Sequence, residues 1–176
     1  DGLVLVASGA GGHTGLTAGF AFVEEVRQFW DGPIALGGAI SSGRAIRAAE
    51  TLGAELAYVG TAFIACEESI ADLAYKEMVV GASAEDILPS KGITGVTANW
   101  LRQSLIAAGY DPANMPEDKK PNFENTNDNS KAWKNVWSAG QGVGAVTAVE
   151  PIAQIVARLK AEYDFACKLP RFDMKE

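Results

Sequence analysis

Apolar residues run unbroken from position 3 to position 7 (Leu-Val-Leu-Val-Ala), and the pattern then changes to a helical period over residues 18–30. There Phe22, Val26 and Phe29 share one face, while Glu24, Glu25, Arg27 and Gln28 lie elsewhere. The first pattern predicts a strand buried on both faces, as in a parallel sheet, and the second an amphipathic helix. Asp31-Gly32-Pro33 ends that helix, and the order repeats. Residues 34–36 read as a short strand, Ser41-Ser42-Gly43 as a cap and turn, and 44–52 as an alanine-rich helix stopped by Gly53. Residues 56–59 form a third strand, followed after Gly60-Thr61 by a helix over about 69–80. Strands separated by helices and short links predict parallel pairing with right-handed crossovers.

Beyond Gly81 the rhythm is lost. Residues 84–88 read as an acidic helical turn or strand entry, and 98–108 as a helix. Residues 111–130, rich in Pro, Asn, Asp and Lys, read as an irregular surface excursion. Order returns with a helical turn or short helix over 131–137, the glycine cluster Ser138-Ala139-Gly140-Gln141-Gly142-Val143-Gly144, and a helix over about 149–163. The expected organisation is therefore three βα units over 1–81 and a helical and loop extension over 82–176 that packs on them.

Composition narrows the chemistry. The 176 residues are 48% hydrophobic, enough for one core, and carry a net charge of −7. That charge argues against a nucleic-acid or anionic-membrane partner, so an anionic ligand would be held locally by backbone amides. Cys66 and Cys167 are far apart, and with a single histidine in the chain they predict neither a metal site nor a disulfide. Reduced thiols, the absence of an apolar run near ~20 residues and the absence of a basic-then-apolar leader make the cytoplasm the expected location. The chain begins at Asp1, already inside a strand pattern, which points to a piece of something longer.

Candidate chemistry lies at three strand-then-glycine junctions. The first is Ser8-Gly9-Ala10-Gly11-Gly12-His13-Thr14-Gly15, which holds the only histidine; the others are Gly37-Gly38 and Gly60-Thr61. Glycines let a backbone approach an anion closely and present its amides without basic side chains. The plainer reading of each is a tight turn, and of His13 a surface or core histidine. Trp100, Trp133 and Trp137 line either a substrate mouth or the core. Glu67 and Glu68 read as a charge pair at a helix start, Arg44 as a phosphate contact or a solvated position, and Cys66 as a small buried hydrophobe.

Taken together, Gly11-Gly12-His13-Thr14-Gly15, Gly37-Gly38 with Gly43-Arg44, Leu52-Gly53-Ala54, Gly60-Thr61-Ala62-Phe63 with Glu68-Ser69, and the Ser138 to Gly144 segment resemble the carboxy-terminal part of the nitronate monooxygenase family. The resemblance covers almost the whole chain. It implies an α/β fold of the parallel (β/α) TIM-barrel type, with only the last three βα units and a carboxy-terminal extension present. A complete barrel takes ~250 residues. It further implies FMN as cofactor, with Gly37, Gly38, Gly60 and Thr61 on the flavin phosphate, Gly11 and Gly12 against the isoalloxazine or ribityl chain, Gln141 lining the ligand, and no metal.

His13 is then the catalytic base, since imidazole changes charge near neutral pH. The implied reaction is oxidation of alkyl nitronates or nitroalkanes by dioxygen to a carbonyl compound and nitrite. An FMN- and NAD(P)H-dependent enoyl-acyl carrier protein reductase and a non-catalytic flavin-binding module are the rival expectations. Leu36, Ala39 and Ser41-Ser42 depart mildly from the family pattern. Open parallel edges are expected to favour a homo-oligomer.

Overall fold

The computed structural model describes residues 1–116, 134 and 136–169. The repeating pattern becomes β1 (Leu3–Val6), α1 (Gly19–Arg27), β3 (Ile34–Gly37), α2 (Gly43–Leu52) and β4 (Leu56–Tyr58). Its three strands form one parallel sheet in the order β1-β3-β4. Ser42 caps α2 by accepting from the Ala45 amide at 3.2 Å, and Gly53 ends the helix in the left-handed conformation at φ 105°. Both follow from the residue types expected at helix ends.

Register explains which side chains are covered. Leu5 pairs with Leu36, and Leu36 with Ala57; this face packs with Val23, Val26 and Ala49 of the two helices. The neighbouring positions form two rows on the opposite face, Val4-Ala35-Leu56 and Val6-Gly37-Tyr58. Val4, Val6, Leu56 and Tyr58 are 43–64% exposed, so among the described residues nothing covers that face.

After β4 the chain makes α3 (Thr61–Ile64) and α4 (Leu73–Val80), in place of the single helix expected over 69–80. Ser69 accepts from the Ala71 amide and holds a turn where the sequence pattern suggested helix. Lys76 is buried and donates to the Glu67 and Ser69 carbonyls at 3.2 and 2.8 Å, so its ammonium ties down the same turn. Glu68 caps a distant helix instead of its own: its carboxylate accepts from the Ile152 amide, which opens α6 (Ile152–Ala166).

The expected helix over 98–108 is overturned at its start. A 3-10 turn at Ala84–Asp86 leads into β5 (Ile87–Ser90), and β6 (Ala98–Leu101) precedes α5 (Arg102–Ala107). β6 pairs antiparallel with β5 on one side and with the two-residue β2 (Gly12–His13) on the other. All four β6 residues are buried, and a strand covered on both faces lacks the alternation that separates it from a helix. The extension thus carries strands as well as helices, and it is laddered to the glycine loop.

Residues 111–116 are irregular, as expected. The remainder of the expected excursion, and 131–133 and 135 of the expected turn, lie outside the described residues. A second 3-10 turn, Gln141–Ala145, and α6 complete the chain. The contact of α6 with α2 is so close that a Cβ on Gly43 would stand 2.2 Å from the Leu159 carbonyl oxygen. Cys66 is buried, as expected, and Cys167 is exposed. No helix among the described residues is long and apolar enough to cross a membrane, and no cluster of metal-ligating residues occurs among them.

Candidate functional site

Three strand ends converge on one cavity of about 360 Å³. Gly9, Ala10 and Gly11 reach it from the loop after β1, and Gly37, Gly38, Ala39 and Ile40 from the end of β3. Tyr58, Gly60 and Thr61 come from β4 and the start of α3, and Gly140 and Gly142 from the second glycine cluster. Val4 and Val6 complete the wall, and no lining residue carries a charge.

The loops are bonded to one another as well as adjacent. The Gly9 carbonyl accepts from the Ala39 amide at 3.2 Å and from the Gln141 amide at 2.9 Å, while Thr61 Oγ1 accepts from the Gly140 amide at 2.9 Å. Ala39 holds φ at 56°, in the left-handed region that alanine rarely occupies. Such a conformation costs about 1–2 kcal/mol, and the surrounding bonds must supply it.

Five of the predicted site residues line this cavity: Gly11, Gly37, Gly38, Gly60 and Thr61. Gly12 and His13 do not; they form β2, opposite Asn99 and Ala98, and His13 is exposed two positions beyond the lining Gly11. Gln141 reaches the cavity's scaffold through its backbone only. Its side-chain oxygen lies 2.9 Å from where a Cβ on Gly9 would be, and it lines a separate hollow of about 120 Å³ with Ser8, Thr14 and Asn99.

Arg44 turns away from the cavity: its guanidinium stands 5.2 Å from the Phe165 ring centroid. Two of the first three amides of α2 are also taken, Gly43 by a Glu162 carboxylate oxygen at 2.7 Å and Ala45 by Ser42. At Gly60, by contrast, an added Cβ would meet nothing within 4 Å. An anion entering the cavity therefore meets open space at Gly60, while at the start of α2 two of the first three amides are already bonded within the protein.

The tryptophans divide. Trp100 is fully buried with its indole N–H on the Ser90 carbonyl, Trp137 stacks on Tyr75 at 5.0 Å, and Trp133 lies outside the described residues. Burial pushes the Tyr75 hydroxyl above its ordinary range, although it donates to the Ser138 carbonyl. Sequence reasoning missed Asn99 and Tyr58. Asn99 is 2% exposed and donates to the Ala10 carbonyl at 2.8 Å, fixing the first loop. Its signal was a lone amide inside the apolar run Ala98-Asn99-Trp100-Leu101.

A parallel sheet whose strands end in a shared glycine-lined hollow places the chain among the α/β proteins that hold ligands at the carboxyl ends of their strands. Residues 1–162 match the nitronate monooxygenase family, and the chain belongs to it. A nitronate monooxygenase of Paraburkholderia phytofirmans is 33% identical over 121 residues, covering 64% of this chain and 33% of that protein. FabK from Thermotoga maritima is similar in structure, with a TM-score of 0.73 at 23% identity over 96% of this chain and 56% of that one. A nitroalkane oxidase from Streptomyces ansochromogenes gives 0.72 at 23% identity over 95% and 52%. The chain spans a third to about half the length of the curated relatives it matches.

Proposed function

We propose that this chain is the phosphate-gripping part of an FMN-dependent nitronate monooxygenase, corresponding to the last three βα units of a TIM barrel and the extension that packs on them. The observation that carries the reading is the convergence of Gly9–Gly11, Gly37–Ile40 and Gly60–Thr61 on one cavity without charged side chains. Residues 1–81 supply the gripping loops and residues 82–176 brace them.

The fit to a flavin phosphate rests on the space in front of Gly60 and on the Thr61 hydroxyl, already an acceptor from Gly140 and so able to donate into the hollow. Gly37, Gly38, Gly60 and Thr61 would hold the phosphate through amides and one hydroxyl, and Gly11 and Gly12 would lie along the ribityl chain or ring. Gln141 would support them from behind Gly9. When bound, FMN supplies the electron transfer that links nitronate oxidation to dioxygen, with a carbonyl compound and nitrite as products.

His13 takes the α-proton when the substrate is a neutral nitroalkane. A preformed nitronate lacks that proton and bypasses the step. His13→Asn is therefore expected to lower turnover of neutral nitroalkane by about 10²-fold or more and to leave nitronate turnover much less affected, measured as oxygen uptake. Equal loss on both substrates sinks the role. The flavin reading itself is tested by the visible absorbance of the protein after reconstitution with FMN; a spectrum without bound oxidised flavin overturns it. NAD(P)H oxidation coupled to an enoyl thioester would replace the monooxygenase reading with the reductase one.

A further inference from the structure

Thr61 Oγ1 accepts the Gly140 amide at 2.9 Å, and among the described residues its own proton has no acceptor within the protein. A threonine hydroxyl carries one proton and two lone pairs. With the amide on the oxygen, the proton is left to point elsewhere, and Thr61 lines the cavity.

The amide reaches Thr61 only because residue 140 has no side chain. A Cβ there would stand 2.7 Å from the Gly9 carbonyl oxygen and 3.0 Å from the Gly11 nitrogen. The stretch that carries it is held on several sides. Leu101 donates to the Trp137 carbonyl at 3.0 Å, the Trp137 amide donates to Ser104 Oγ at 2.7 Å, and Tyr75 donates to the Ser138 carbonyl.

We propose that Gly140 is a positioning residue whose amide sets the Thr61 hydroxyl as a donor toward the cavity. The site then favours a terminus built only of acceptors, a phosphate ester, over one that ends in a hydroxyl. The inference rests on the flavin reading, because the terminus in question is that of FMN.

The test is the ratio of FMN to riboflavin affinity, titrated by flavin fluorescence on the full chain. Wild type should prefer FMN, Thr61→Ser should keep the preference, and Thr61→Val should cut it about tenfold, the worth of one good hydrogen bond to an anion. Gly140→Ala should cut it comparably although Thr61 is intact, and the double variant should fall no further. Should Gly140→Ala fail to fold by circular dichroism, Tyr75→Phe loosens the same stretch without adding an atom and should lower the ratio in part.

An unchanged ratio in the variant that folds overturns the positioning role. So does an equal fall for FMN and riboflavin, which is the mark of a merely structural effect, and so does an additive double variant. A wild-type chain that binds neither flavin, or both equally, overturns the phosphate reading and this inference with it; a wild-type preference with an unresponsive Gly140→Ala defeats the inference alone.

Discussion

Two cavity-lining glycines that look alike in the sequence do different work. Gly38 has φ at 132°, and a Cβ on it would lie 2.9 Å from the Ser8 carbonyl oxygen. Gly60 has φ at −120° and open space around the added atom. Gly38→Ala should therefore lower stability by about 1–3 kcal/mol, read as a fall in the denaturant midpoint. Gly60→Ala should leave that midpoint within about 0.5 kcal/mol and yet weaken FMN binding, since its methyl enters the cavity. Reversal of that pattern would mean the two glycines had been assigned backwards. The glycine positions were legible because strand-then-glycine junctions are a local signal. Their division of labour was not: what each absent side chain would strike depends on partners such as Gly140, about 130 positions away from Gly9 and Gly11.

At the scale of elements, the seam between α2 and α6 gives the clearest case. Glu162 accepts from the Gly43 amide, and the Tyr163 hydroxyl donates to Glu50, which also meets Arg47. The Tyr163 hydroxyl is pushed up to about 12, first by its bond to Glu50. Its contribution to stability is whole below the ordinary tyrosine value of ~10 and is lost as pH rises from there through the folded value. Tyr163→Phe should flatten this part of the alkaline stability profile relative to wild type; identical profiles would exclude the bond as its source.

Glu50 is held low, chiefly by Arg47. Its share is present above the ordinary glutamate range and declines as pH falls through the lowered value. Apart from the two-residue β2, the strand and helix order of residues 1–60 was readable because each element carries its own periodicity and stop signal. β6 was not, because a four-residue strand buried on every side and laddered to β2 owes its form to distant chain, and the same holds for the helix start capped by Glu68. The α1, α2 and α6 patterns were found, with ends displaced by a few residues.

For the whole molecule, a net charge of −7 surrounds a cavity with no charged lining residue. Bound phosphate would meet local amides against an unfavourable overall field, so raising ionic strength should leave FMN affinity unchanged or improve it slightly. A steep loss with salt would require basic contacts that the cavity lacks. The two faces of the parallel sheet provide another contrast. Leu5→Ala, on the packed face, should cost about 2–5 kcal/mol, whereas Leu56→Lys, on the open face and outside the cavity lining, should cost little and reduce any concentration-dependent association measured by light scattering. Amides as the means of holding an anion were legible from composition and glycine spacing; the uncovered face was not, since a continuous apolar run does not say which side finds neighbours.

The unequal accessibility of the two sulfurs has a practical side. Cys66 is sealed in the interior and Cys167 stands at the surface just past the end of α6, so a maleimide dye applied to the native protein should attach at one defined point. That point lies at the α2–α6 seam, beside Tyr163, and apart from the residues lining the cavity, which makes an attached fluorophore a ready donor or acceptor for gauging ligand occupancy by energy transfer without engineering a new attachment.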